Sequence, residues 1–172
     1  MAQPGRRELE VKHSVTEEER RDQALALAYR YLGHRDRTVA EVRAHLRARG
    51  MAHKVGESVL AELSEQGYLD DAAYARRYVE DRRALDGWGA GRIERTLNDR
   101  GVAAELVEAA LGGRGPGAEL DAAVDLLHRR LKSAPADARA RGRALGLLVR
   151  RGYELELAHD AVRRAERELP PR

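Results

Sequence analysis

The sequence predicts an all-α protein of three tandem three-helix repeats in an elongated, curved array, and three observations carry that expectation. The chain repeats itself at a fixed offset of 51 residues: Leu46, Leu97 and Leu148 align, as do Arg49, Arg100 and Arg151, then Gly50, Gly101 and Gly152. Apolar columns follow at Val42, Ile93 and Ala144, at Val55, Leu106 and Leu157, and at Leu60, Leu111 and Val162. Composition points the same way, because alanine and arginine favour helix and no segment alternates β-branched with polar residues as a strand does. Aromatics are only 4% of the 172 residues and Phe is absent, so the core must rest on Leu, Val, Ala and a few Tyr. Finally, the second helix of each repeat stops at Arg-Gly, where glycine alone takes the left-handed backbone that closes a helix without a Cβ penalty. Positive φ is expected at Gly50, Gly101 and Gly152.

Three repeats of about fifty residues favour a quasi-linear stack in which each unit contacts mainly its neighbours. Residues 1–21, poor in apolar side chains, form a disordered or loosely attached segment. Repeat 1 spans 22–69, repeat 2 spans 70–113, and 114–172 holds a linker and repeat 3. In repeat 1 a leading helix covers 22–32. Thr38-Val39-Ala40-Glu41 then reads as a capping box that opens the second helix, and a third runs from His53 to Glu65. Gly67 suits the left-handed position past that helix, and Tyr68 and Leu69 turn inward. Asp70 or Asp71 caps the leading helix of repeat 2, near the positive end of its dipole. Tyr74, Ala75, Tyr78, Val79 and Arg82 fall on one inward stripe of it, leaving the stem of Arg82 half buried. The only tryptophan, Trp88, lies between Gly87 and Gly89 at the entry to the next helix and covers an end of the core. Gly112-Gly113-Arg114-Gly115-Pro116-Gly117 is a flexible linker that lets the third repeat swing. Asp137 caps that repeat's second helix.

Several function classes find no support. With no cysteine there is no thiolate chemistry and no disulfide, which fits a reducing cytoplasm. No apolar run is long enough to span a membrane. The glycines at 87, 89 and 91 follow no strand and match neither a dinucleotide fingerprint nor a phosphate loop, so no nucleotide cofactor is expected. The six histidines show no metal-binding spacing, and the serines sit in no nucleophile elbow. No catalytic, cofactor or metal residues are assigned. Net charge is +3, with 13 basic against 9 acidic residues from Arg114 onward, weaker than a dedicated DNA-binding domain but open to an acidic partner.

Gly67-Tyr68-Leu69-Asp70-Asp71, the pairs Tyr74-Ala75 and Tyr78-Val79, Arg82, and then Arg92-Ile93, Leu97 and Gly101-Val102 resemble the signature of the RecX recombination regulators. The likeness runs from Ala24 to about Ala165. Tyr74 stands where that family usually has Phe, Thr38 where Ser is common, and the third repeat matches more weakly. The resemblance implies a helical crescent, acting without catalysis and as a monomer. It would bind the RecA filament on single-stranded DNA and restrain its ATPase, strand exchange and co-protease activity toward the LexA repressor, modulating recombinational repair and the SOS response. A direct, repressor-like DNA-binding helical repeat protein is the alternative, with weak DNA contact of its own.

Projecting the second helix of repeat 3 at about 100° per residue places Arg139, Arg143 and Arg150 on one outward stripe, with Arg141, Ala144, Leu145 and Leu148 opposite. That stripe is the first candidate partner-binding face. Arg76 and Arg83, expected on the outer side of the helix that starts at Asp71, form the second.

Overall fold

A computed structural model describes residues 16–113 and 117–170, and among these every regular element is helical. The first unit comprises α1 (Glu17–Leu32), α2 (Val39–Ala48) and α3 (His53–Glu65). The second comprises α4 (Asp71–Asp81), extended by a π-turn at Arg82–Asp86, then α5 (Ala90–Asp99) and α6 (Ala104–Leu111). The third comprises α7 (Ala118–Arg130), α8 (Ala138–Arg151) and α9 (Leu155–Glu168). Each unit buries its own apolar cluster, around Val42, Leu46 and Leu63 in the first, Ile93, Leu97 and Val107 in the second, and Leu127, Leu148 and Val162 in the third. The aligned Leu46, Leu97 and Leu148 are all essentially inaccessible. Each such leucine stabilises its unit by about 1.5–3 kcal/mol.

The glycines expected to take positive φ do so, at 77° for Gly50, 74° for Gly101 and 92° for Gly152, and Gly67 joins them at 77°. Each of the three aligned glycines closes its helix the same way. The amide after the glycine donates back to the aligned leucine carbonyl, from Met51 to Leu46, Val102 to Leu97 and Tyr153 to Leu148. Thr38 and Glu41 form the expected capping box, and Asp137 caps α8 through the Ala140 amide at 2.7 Å.

Several expectations need correction. Helix α1 begins at Glu17, not Asp22, because Thr16 and Glu19 make a second capping box ahead of it. Residues 17–21 are therefore helical, and the expectation for residues 1–15 lies outside the described residues. Leu69 is buried as expected, but Tyr68 is 59% exposed, held edge-on against Tyr29 at 5.2 Å. The leading helix of the second unit does not simply end before Gly87. It widens into the π-turn, which opens the helix near Trp88.

The third unit is bonded to the second. Although linker residues 114–116 are outside the described residues, α8 and α5 are bonded through their main chains. Gly89 N–H donates to Arg151 O at 2.9 Å and Gly91 N–H to Gly152 O at 3.2 Å. Glu119 of α7 caps α5 through the Ala90 amide at 2.7 Å. The first joint repeats this pattern, with the N-cap contact at the same offset and the carboxylate three residues further along. Thr38 Oγ1 donates to Arg100 O at 2.7 Å, and Asp71 accepts from the Val39 amide at 2.9 Å. The two adjacent aspartates thus divide the work, Asp70 capping its own α4 through the Ala73 amide at 2.8 Å and Asp71 capping α2 of the preceding unit. Carboxylates meet bare amides at the positive ends of two different helices.

Close approach sets the glycines at these joints. A Cβ on Gly89 would lie 2.7 Å from the Gly152 carbonyl carbon, and one on Gly152 would lie 2.3 Å from Arg92 Cβ. Gly87, Gly89 and Gly91, which resemble a ligand loop at first sight, instead make room for the next repeat.

Candidate functional site: an arginine and aromatic cleft

The joint between the first and second units opens on one side into a cleft of about 640 Å³. Arg35, Arg77, Arg82 and Arg100 line it together with Tyr74, Tyr78 and Trp88, and only Asp36 and Asp81 bring negative charge. Local structure explains why these residues converge. Tyr74, Tyr78 and Arg82 recur on one stripe of α4, the π-turn carries the chain round to Trp88, and Arg100 ends α5 one residue before the left-handed Gly101.

Guanidinium groups and rings alternate along the cleft and continue beyond it to Arg92, on the far side of Trp88. Arg92 lies 4.0 Å from the Trp88 ring centre, Arg82 lies 5.6 Å from Trp88 and 5.3 Å from Tyr78, and Arg100 lies 4.8 Å from Tyr78. Tyr78 meets Tyr74 and Trp88 at centroid distances of 6.1 and 6.4 Å. An aromatic face attracts a cation without neutralising it. The rings therefore fix the guanidiniums in place while leaving their charge and N–H edges available to an anion.

Carboxylates do neutralise some of the set. Arg82 donates to Asp86 at 2.5 Å, Arg77 to Asp36 at 2.8 Å, and Arg35 to Glu41 at 2.8 Å. Arg100 and Arg92 differ. Arg100 donates to the Tyr74 hydroxyl and Arg92 to the Arg150 carbonyl at 3.2 Å, and neither has a carboxylate partner among the described residues. A smaller stack continues on the first unit, where Arg37 lies 4.0 Å from the Tyr31 ring centre and His45 lies parallel to that ring at 4.0 Å. Burial, followed by Arg49, Arg37 and Arg30, pushes the His45 pKa down, so the imidazole stacks in its neutral form.

The candidate arginines named from sequence fall into two groups. Arg139, Arg143 and Arg150 are exposed on α8, and Arg141 points away from them to pair with Glu166 of α9. A Cβ on Gly146 would lie 3.0 Å from the Arg150 guanidinium, so that glycine makes room for Arg150 itself. Arg76 is exposed on α4. Arg83 is not on the outer side: its side chain is only 9% exposed, 3.7 Å from Glu119 and donating to the Leu111 carbonyl, because the π-turn rotates it into the second joint. Sequence reading missed Arg100, Arg92, Arg77 and Arg35 as one cluster. Arg100 was visible in the Arg49, Arg100 and Arg151 column, but nothing in spacing along one helix reports a ring on another.

Among the described residues there is no group of three metal-ligating side chains, and no helix is long and apolar enough to cross a membrane.

Models of the RecX family match residues 24–63, as its first three-helix domain, and residues 70–111, as its second. The regulatory protein RecX of Mycobacterium avium is 38% identical over 152 residues, covering 87% of this chain and 88% of that protein. That of Deinococcus radiodurans is 36% identical over 170 residues, covering 99% of this chain and 81% of that protein. The crystal structure of RecX from Lactobacillus salivarius shares the fold at a TM-score of 0.74 with 18% identity, over 87% of this chain and 98% of that one.

Proposed function

We infer a function from the premise that this chain belongs to the RecX family of regulatory proteins. It acts by binding the RecA nucleoprotein filament and restraining its ATPase, strand exchange and co-protease activity, and it catalyses nothing itself. That role belongs to the bacterial cytoplasm, where the filament is. The observation that carries the reading is the arginine and aromatic cleft, set in a chain of this family. Its guanidiniums are held rigidly by rings and are only partly neutralised, which suits an acidic protein surface or exposed phosphate better than a small substrate. A stack whose described inter-unit hydrogen bonds join neighbouring units also presents a long face, and a polymer offers repeated contacts to such a face.

The test is the ATPase of preformed RecA filaments on single-stranded DNA, measured with substoichiometric amounts of this protein. Turnover should fall while the protein alone hydrolyses no ATP. Unchanged turnover at saturating protein would remove the reading.

Direct DNA binding is the second reading, favoured by the absence of carboxylate partners on Arg92 and Arg100 among the described residues. A salt titration of DNA affinity without RecA decides it. Phosphate contact by both arginines gives a log–log slope near about −2 on duplex DNA, whereas no detectable binding leaves the filament as sole target.

A further inference from the structure

The two joints are built alike, and the first unit carries an unused copy of the half that grips. At each joint the later unit presents a helix closed by Arg-Gly together with a carboxylate from the first turn of its leading helix. The earlier unit inserts a helix N-terminus between them. Its N-cap group donates to the carbonyl of Arg100 or Arg151. Its first amide donates to Asp71 or Glu119. Its second residue is small, Ala40 or Gly91, and faces the glycine at 2.4 Å from the Gly101 Cβ position or through the Gly152 carbonyl.

The first unit has each gripping part. Arg49-Gly50 closes α2 with the same left-handed glycine. Glu17, in the first turn of α1, stands 102 residues before Glu119, twice the repeat offset. Lys54 Nζ lies 4.0 Å from that carboxylate, which places Glu17 beside the segment after Gly50. Yet no described residue lies within 4 Å of a Cβ built on Gly50. Met51 is half-exposed, while its counterparts Val102 and Tyr153 are buried.

We propose that this open end, formed by Arg49, Gly50, Met51 and Glu17, is a docking surface for the N-terminus of a helix in a partner protein. That helix carries Ser, Thr or Gly at its N-cap and Ala or Gly two residues later, as both joints require. Complementarity is electrostatic and directional: the Arg49 carbonyl, counterpart of the Arg100 and Arg151 carbonyls used at the joints, and the Glu17 carboxylate meet the free amides and positive pole of the incoming helix. A second copy of this chain does not fit. The corresponding N-terminus at the far end, that of α8, begins three residues earlier in the repeat register than α2 and α5. Its second residue is Arg139, where the helices at the joints carry Ala40 or Gly91. The inference rests on the filament reading, so the incoming helix belongs to the filament protein.

The test pairs Gly50→Asn with Gly67→Asn in the full chain. Both glycines have φ of 77° and open surroundings, and asparagine tolerates that backbone, so the two variants should lose similar stability. Only the side chain at position 50 would intrude on the docked helix. Binding is read by cosedimentation with RecA filaments on single-stranded DNA. The wild type and Gly67→Asn should bind alike, and Gly50→Asn at least tenfold more weakly. Glu17→Lys, at an exposed position, should lose affinity in the same direction with the fold retained. If both substitutions bind like the wild type, the docking surface is refuted and the filament reading stands. If the wild type itself does not sediment with filaments, the filament reading falls and this inference with it. Self-association of the chain that Gly50→Asn abolishes would overturn the partner in favour of a second copy.

Discussion

Gly50 and Gly152 share a backbone conformation and differ in what surrounds them, so two costs that usually come together can be separated. An alanine at Gly50 meets open space and pays only the left-handed strain, about 1–2 kcal/mol. At Gly152 the same methyl also collides with Arg92, adding about 1–3 kcal/mol for the forced shift. Urea midpoints of the two variants should differ accordingly, and equal midpoints would show the joint to be soft. Asp71 makes a pH prediction. Burial, partly opposed by the Val39 amide and supported by neighbouring Asp70, raises its pKa above the ordinary aspartate value. The folded state therefore holds this proton more tightly than the unfolded chain. Stability from this group is full below about pH 4 and is lost as pH rises through the raised pKa. Asp71→Asn keeps an acceptor for Val39 and should remove that slope from a plot of stability against pH. Arg43 has the opposite effect on Glu57, holding its carboxyl below the ordinary glutamate value, so that contribution grows with pH. The left-handed glycines were legible in the sequence because their demand is local. Tyr68 was not, since its exposure depends on Tyr29 across the unit.

Helix α8 and the π-turn show how far periodicity carries. Spacing alone placed Arg139, Arg143 and Arg150 on the outer face, because a helix of this length fixes every azimuth. Reversing all three charges should weaken filament inhibition at least tenfold, about 1.4 kcal/mol, with the melting temperature unchanged. Parent-like inhibition would move the contact to the cleft. The π-turn had no such signal, since one extra residue per turn leaves composition untouched. It is nevertheless what carries Arg83 inward and delivers Trp88 to Arg92. Deleting Ala84 converts it towards an ordinary α-turn and rotates the residues beyond it by about 100°. Trp88 fluorescence in that variant should shift towards that of a solvated indole. An unshifted spectrum would mean that Trp88 is held by its neighbours rather than by the turn.

Order along the array depends on contacts between neighbours, since the described hydrogen bonds between units join first to second and second to third. Glu119→Lys removes the cap on Ala90 and sets a second cation beside Arg83, at a cost of about 1–2 kcal/mol for the cap alone. The third unit should then detach, seen as a larger radius of gyration in solution scattering with helix content retained. An unchanged radius would show that the glycine contacts suffice. The 51-residue offset announced the number of units, but not that Asp71 and Glu119 serve the unit before their own, because a periodic pattern names the copies and not their handshake. That handshake is written almost wholly in amides, carbonyls and missing side chains, which has a consequence for how such a chain can change. A tandem duplication of residues 51–101 would carry its own socket and its own plug, so a fourth module could be spliced in with main-chain contacts at both of its joints, provided that its copy of α3 packs where α6 does now.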